Sequence, residues 1–289
     1  SDKLRQVMSF HPLLIGGDPF AVTSVYSLIN SLERRFGVHW ALGGTGELVK
    51  GLVKLLQSQG GTLRLNAEVA RIDTVADNAS ASRRPRATGV TLASGEKIAA
   101  DIVVSNADSA WTYKHLVDPA HRRHWTDARI ARGKYSMSLF VWYFGLNRRY
   151  DEVPHHMIML GPRYRELLRD IFRRHHLAED FSLYLHRPTA TDASMAPPGC
   201  DTFYVLSPVP HLDSGTDWTA MADTYRRRVA DELDRTVLPG FERHIVSQRI
   251  TTPLDFRDRL LSYKGAAFGL EPLMTQSAWF RPHNSSEDI

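Results

Sequence analysis

The run Met-Ser-Leu-Phe-Val-Trp-Tyr-Phe-Gly-Leu at 137–146 is the longest apolar stretch in the chain, and it constrains the fold more than any other segment. Its aromatic and β-branched residues favour an extended strand. Side chains alternate between the faces of a strand, so Phe140, Trp142 and Phe144 share one face and Val141 and Tyr143 the other. Aromatic faces of this kind either pack as plain core or line a channel for a hydrophobic ligand, and the run alone leaves both readings open. A bilayer span takes about 20 apolar residues, more than this run offers, so the expected contact with a membrane is peripheral.

Around this strand the patterning is mixed. Residues 2–36 read as helices interrupted at Gly16-Gly17-Asp18-Pro19, and a helix follows Gly43-Gly44. Leu63, Leu65, Val69 and Ile72 suggest two short strands. Residues 77–86 read as an exposed hairpin loop, and Ser94-Gly95 as the turn of a second hairpin. Ile102-Val103-Val104 is a continuous apolar run of the kind found in strands buried on both faces. Residues 108–132 look helical and polar. Strands are expected at 157–160, 181–186, 202–210 and 245–250, with helices at 162–176, 217–238 and 255–263. There is no internal repeat.

The stretch Gly43 to Leu56 resembles a phosphate-binding loop at first sight. A dinucleotide fingerprint would need Gly or Ala where Val49 stands, and a Walker loop would need lysine where Leu52 stands. Glu47, in the first helical turn, would repel a phosphate there. The simpler expectation is a helix capped by Thr45 that buries Leu48, Val49, Leu52, Val53, Leu55 and Leu56 on one face.

The composition excludes little: 43% apolar and 24% charged residues suit an ordinary globular protein of 289 residues, as one large domain or two smaller ones. The formal charge is +4, and arginines recur in clusters such as Arg83-Arg84, Arg173-Arg174 and Arg226-Arg227-Arg228. These are solvated faces, or they attract anionic lipid headgroups. They do not form the dense block expected of a nucleic-acid binder. Cys200 is the sole cysteine, so no intrachain disulfide forms, which suits a reducing cytoplasm. Thirteen histidines invite a metal reading. Adjacent strand residues point to opposite faces, however, so His155 and His156 are not expected to chelate one ion, and no metal is expected. There is no G-x-S-x-G nucleophile elbow.

Several segments, taken in order, resemble bacterial-type phytoene desaturase, a flavin-dependent carotenoid desaturase of the amine-oxidase-like superfamily. They are SFHPLLIGGDPF (9–20), GGTGELVKGLVKLLQSQGG (43–61), ADIVVSNAD (100–108), LGPRYREL (160–167), AEDFSLYLH (178–186), YVLSPVPHL (204–212) and YKGAAFGLEPLMTQSAWFRPHN (263–284). No single motif carries the likeness; their collinearity over nearly the whole chain does. Two family features are absent, the leading Rossmann G-x-G-x-x-G unit and the closing glycine-rich segment. The expectation is therefore an internal fragment that alone binds no FAD stably and is inactive, with Ser1 as a cloning scar.

The resemblance implies a mixed α/β fold in which a partial FAD-binding domain joins a substrate domain with a mixed, largely antiparallel sheet covered by helices. Residues 1–42 and 109–280 would belong to the substrate domain, 43–108 to the FAD domain, and 281–289 to a truncated return toward it. Cofactor contacts would come from Val69 at the adenine end and from Ser105, Asn106 and Ala107 beside the flavin. The family dehydrogenates phytoene toward lycopene, one hydrogen leaving as hydride to the flavin and the other as a proton. Aromatic faces or a carboxylate could steady an allylic cation. On this basis Glu271 is the candidate carboxylate, Phe268 and Trp279 are the aromatic candidates, and Arg281 is the polar partner. The implied partners are a carotenoid and an anionic membrane surface, at the cytoplasmic face of the inner membrane. The alternatives are a sister desaturase or isomerase acting on another carotenoid, and a non-catalytic module that binds a hydrophobic ligand or a membrane.

Overall fold

The computed structural model describes residues 2–75 and 85–283. The loop expected at 77–86 lies outside the described residues as far as residue 84, as do Ser1, the Arg83-Arg84 pair and residues 284–289. The chain opens with helices α1 (Asp2–Ser9) and α2 (Ser27–Phe36), separated by 3-10 turns at His11–Ile15 and Ser24–Tyr26. The break falls at Gly16, whose φ of +77° is left-handed. A Cβ there would lie 2.6 Å from the Phe268 Cβ and 2.7 Å from the Ser136 Cβ, so only glycine lets the turn come this close.

Helix α3 (Thr45–Ser58) follows, with two departures from expectation. Thr45 is its first helical residue, not its cap; the cap position is Gly44, which makes no side-chain cap bond. The apolar face is not buried: Leu48, Val49, Leu52, Leu55 and Leu56 are all exposed, because no described element packs on them.

Strands β1 (Val69–Val75), β2 (Arg86–Leu92) and β3 (Lys97–Ala99) form an antiparallel three-stranded sheet in that order. The Ser94-Gly95 turn joins β2 to β3 as read from the sequence. Leu63 and Leu65 form no strand and are exposed, so this region has one strand where two were expected. Residues 102–104 are not a strand either. Ile102 is 80% exposed and Val104 88%, since no described strand pairs with them. The nominally polar stretch 108–132 folds into α4 (Ser109–Trp111), a π-helical turn at 112–116 and α5 (Asp127–Arg132). It buries Tyr113, Val117, Trp125 and Ile130 against Ile72 of β1 and Ala266.

The larger sheet contains β4 (Ser138–Leu146), β5 (His156–Met159), β6 (Leu183–His186), β7 (Asp201–Val209) and β8 (Ile245–Thr251), in the order β5-β6-β7-β4-β8 with every pair antiparallel. Helix α6 (Tyr164–Arg169), which runs into a π-helical turn at 170–174, packs on one face. The long helix α7 (Trp218–Thr236) packs on the other, and α8 (Pro253–Asp258) follows β8. On the α7 side, Phe140, Trp142 and Phe144 are core: the Phe140 ring lies 6.0 Å from Trp218 and 4.9 Å from Tyr225. On the α6 side, Leu139 and Val141 pack near Tyr164, Leu167 and Ile171, but Tyr143 is left 44% exposed. The aromatic face of β4 is thus plain core, and the sheet opens on the other side.

A buried ion pair ties the start of β7 to the segment after β6. The Arg187 guanidinium donates from Nε to Asp201 at 3.0 and 3.1 Å, from Nη1 to the Val153 carbonyl at 2.9 Å and from Nη2 to Asp151 at 2.8 Å. Asp201 also accepts from the Tyr150 N–H at 2.7 Å and from the Thr189 hydroxyl. Each nitrogen of Arg187 and both oxygens of Asp201 are hydrogen-bonded, so removing one partner strands a buried charge. Arg187→Ala should cost about 3–5 kcal/mol of unfolding free energy in urea melts; a loss below about 1 kcal/mol would contradict this assignment.

Candidate functional site

The register of the large sheet composes its open face. Val141 of β4 stands opposite Leu206 of β7, and Tyr143 opposite Tyr204. Leu206 in turn pairs with Tyr184 of β6, Tyr204 with His186, and Tyr184 with Ile158 of β5. The alternation of side chains therefore places an aliphatic floor beside an aromatic and imidazole end. The N-terminal turn covers the aliphatic part with Phe10, Leu13 and Leu14, and Phe268 closes one side. The groove between them has a volume of about 310 Å³. A second cavity of about 540 Å³ lies along the aromatic end, lined by Trp40, Tyr143, His186, Tyr204 and Arg249 among others. Tyr204 lines both.

The structure separates the four residues expected to act together. Phe268 lines the groove. Glu271 is 1% exposed and absent from the groove lining. Its cation is Arg173, not Arg281: Arg173 donates to the two Glu271 oxygens at 3.3 and 3.5 Å and to Asp18 at 3.1 Å. Arg281 instead donates to the Leu270 carbonyl at 3.2 Å. Trp279 is 77% exposed and sits against the His283 ring. Sequence reading missed Arg173 and Asp18. Arg173 looks like one more surface arginine beside Arg174, and the available signal was the carboxylate of Asp18 inside Gly-Gly-Asp-Pro.

One guanidinium thus serves two buried carboxylates. Burial pushes the Glu271 carboxyl above its ordinary value; Arg173 opposes this and Asp18 reinforces it. A carboxyl raised on folding contributes stability that is complete below its unfolded value, near 4.5, and is lost as pH rises through the folded value. Glu271→Gln removes that titration. In thermal melts from about pH 4 to 8, the parent should lose stability relative to the variant as pH rises. Parallel profiles would refute a raised carboxyl.

The positions expected to meet a flavin lie in the smaller part of the chain. Val69 opens β1, paired with Leu92. Ser105, Asn106 and Ala107 are exposed, with the Ser105 hydroxyl 2.8 Å from that of Thr112. The start of α3 is already engaged with carboxylates. Gly43 N–H donates to Asp192 at 2.6 Å, and Glu47 holds Lys50 at 2.5 Å in the first turn.

Strand alternation does not separate His155 from His156. Strand β5 starts at His156, so His155 precedes it and escapes the alternation; the two rings lie 4.4 Å apart, on the same side as His186.

Comparison with known proteins follows this geometry. The family model described as flavin containing amine oxidoreductase matches residues 1–288. A phytoene desaturase (neurosporene-forming) of Rhodobacter capsulatus is 48% identical over 100% of this chain and 55% of its own length. A phytoene desaturase (lycopene-forming) of Pseudescherichia vulneris is 50% identical over 100% of this chain and 57% of its own. An all-trans-zeta-carotene desaturase of Myxococcus xanthus is 35% identical. The chain thus spans about half the length of the curated relatives it matches. Among solved structures, an oxidoreductase from Methanosarcina mazei superposes with a TM-score of 0.58 at 17% identity, over 85% of this chain and 51% of that one, which supports the same fold.

Proposed function

Because the chain belongs to the flavin containing amine oxidoreductase family, we propose that it supplies the substrate-binding part, and a portion of the flavin-binding part, of a carotenoid desaturase acting on phytoene. The observation that carries this reading is the apolar sheet face under the N-terminal turn. Phytoene is a hydrocarbon with no polar group to hold, so a site for it has to work by shape and apolar burial, at about 25 cal/mol per Å². Leu139, Leu206, Ile158 and Phe268 provide such a surface, and Phe10, Leu13 and Leu14 exclude water from it. Relatives named for neurosporene and for lycopene as products support the substrate class and leave the number of desaturation steps open. In this proposal the whole protein binds FAD. Phe268 faces the substrate, while Glu271 acts at one remove through the Asp18–Arg173–Glu271 cluster.

Ile158 and Leu14 line the groove and are 40% and 49% exposed, so replacing them tests the site with little risk to folding. In a phytoene-accumulating host, the complete protein should yield coloured carotenoids. Ile158→Arg and Leu14→Arg should each lower their yield at least about tenfold, since placing a charge against a hydrocarbon costs more than 1.4 kcal/mol. Wild-type product levels in both variants would sink the groove assignment. A product other than neurosporene or lycopene would favour a sister desaturase or isomerase.

We also propose peripheral attachment to the inner membrane, where such a substrate resides. Among the described residues no helix is long and apolar enough to cross a bilayer. Next to the groove, however, α1 exposes Leu4, Val7 and Met8, and α2 exposes Leu28, Leu32 and Phe36, with Arg34 and Arg35 in its last turn. An amphipathic pair of this kind suits an interface. The chain should co-sediment with anionic vesicles more than with zwitterionic ones and lose part of that binding at high salt. Undiminished binding by a Leu4→Ser, Val7→Ser, Met8→Ser triple variant would move the contact elsewhere.

A further inference from the structure

We propose that His155, His156 and His186 form a binding site for a borderline divalent transition-metal ion of the Zn²⁺ class. One nitrogen from each ring lies within 4.8 Å of the others. The backbone brings them together: antiparallel pairing sets His156 of β5 opposite His186 of β6, and the Arg187 N–H donates to the His155 carbonyl at 2.9 Å. Ligand nitrogens on a tetrahedral ion stand roughly 3.4 Å apart. The Nδ1 atoms of His156 and His186 already have that spacing, at 3.4 Å.

A second observation points to a ligand. The Nε2 of His155 is buried and has no hydrogen-bond partner, which is costly for a polar atom unless something binds it. The other nitrogen of that ring is held 2.5 Å from the Thr191 hydroxyl, the kind of outer contact that fixes a ligating imidazole. Burial lowers the affinity of all three rings for protons and takes His186 down to about 4, leaving the neutral form that binds metals. In the metal-free protein His156 and His186 share the Tyr184 hydroxyl, 2.5 Å from His156 Nδ1 and 3.2 Å from His186 Nδ1, a contact that a bound ion would replace. Trp40 packs against His155 and His186 with ring centroids 5.1 and 5.2 Å away and shields that side. An all-imidazole set selects Zn²⁺, Co²⁺, Ni²⁺ or Cu²⁺ over Mg²⁺ and Ca²⁺.

The other candidate group, His175, His211 and Asp213, is less suited. Its carboxylate is already held by Lys264 at 2.6 Å, a cation that opposes a second positive charge. It therefore serves as the internal control.

The test is a Co²⁺ titration of the untagged, metal-free 289-residue chain, with Zn²⁺ as competitor. One equivalent should bind, with the visible absorption of a low-coordinate, nitrogen-ligated cobalt that zinc displaces, and zinc should raise the melting temperature. His156→Ala, at an exposed residue, should weaken binding at least about tenfold while leaving the metal-free melt unchanged. His155→Ala should do the same should the first variant fold poorly. His175→Ala should bind as the parent does. Absence of saturable binding, retention of binding in both His155→Ala and His156→Ala, or loss of it in His175→Ala would overturn the assignment.

Discussion

The burial of β4 from both sides is the constraint from which the rest of the molecule follows. Strands β7 and β8 satisfy its backbone edges, α7 covers Phe140, Trp142 and Phe144, and α6 covers Leu139 and Val141. A strand this apolar cannot sit at an edge without inviting other chains to pair with it, so the sheet must extend on both sides of it. The two coverings differ in length, and that difference creates the site. Helix α7 packs on Phe140, Trp142 and Phe144 of its face, whereas on the α6 side Tyr143 is left 44% exposed and Tyr204 lines both cavities. What remains is a sheet surface too apolar to face water and too open to be core.

A single cation holds the roof of that surface in place. Arg173 follows α6, Asp18 belongs to the N-terminal turn and Glu271 to the segment beyond Phe268, so one guanidinium joins three separate stretches of chain. Gly16 lets the same turn approach Phe268 more closely than any side chain would allow. Two carboxylates sharing one cation leave a net negative charge in a buried place, an arrangement poorer for stability than for holding a fixed geometry. If the groove takes a hydrocarbon, as proposed, no hydrogen bond orients the ligand, and its walls have to be positioned by contacts made elsewhere, such as this cluster.

The large sheet was legible because its strands obey a period of two and end at turn residues. The 217–238 reading came close to Trp218–Thr236, and that of 202–210 to Asp201–Val209. Failures came where local pattern and burial part company. Residues 108–132 look polar, yet Tyr113, Trp125 and Ile130 fill a core, because tight π and 3-10 turns bring widely spaced apolar residues to one side. Of the expected site residues, Phe268 reached the groove by collinearity with a known family. Arg173, Asp18 and the histidines did not emerge, since long-range pairing decides their neighbours and spacing along the chain carries no trace of it. The rule of alternation misled at His155 for a narrow reason: it holds inside a strand, and the strand begins one residue later.

The exposed faces of α3 and of residues 102–104 belong to the same logic. Leu48, Leu52 and Leu55 recur at helical spacing, and Ile102 and Val104 point outward from an extended segment, so both patterns are those of elements with something packed on them. Scattered exposed leucines need no explanation, but periodic ones do. Sequence patterning predicts burial at these positions, and the structure leaves them exposed. The smaller sheet, with its own cluster of Ile72, Tyr113 and Trp125, is complete without them.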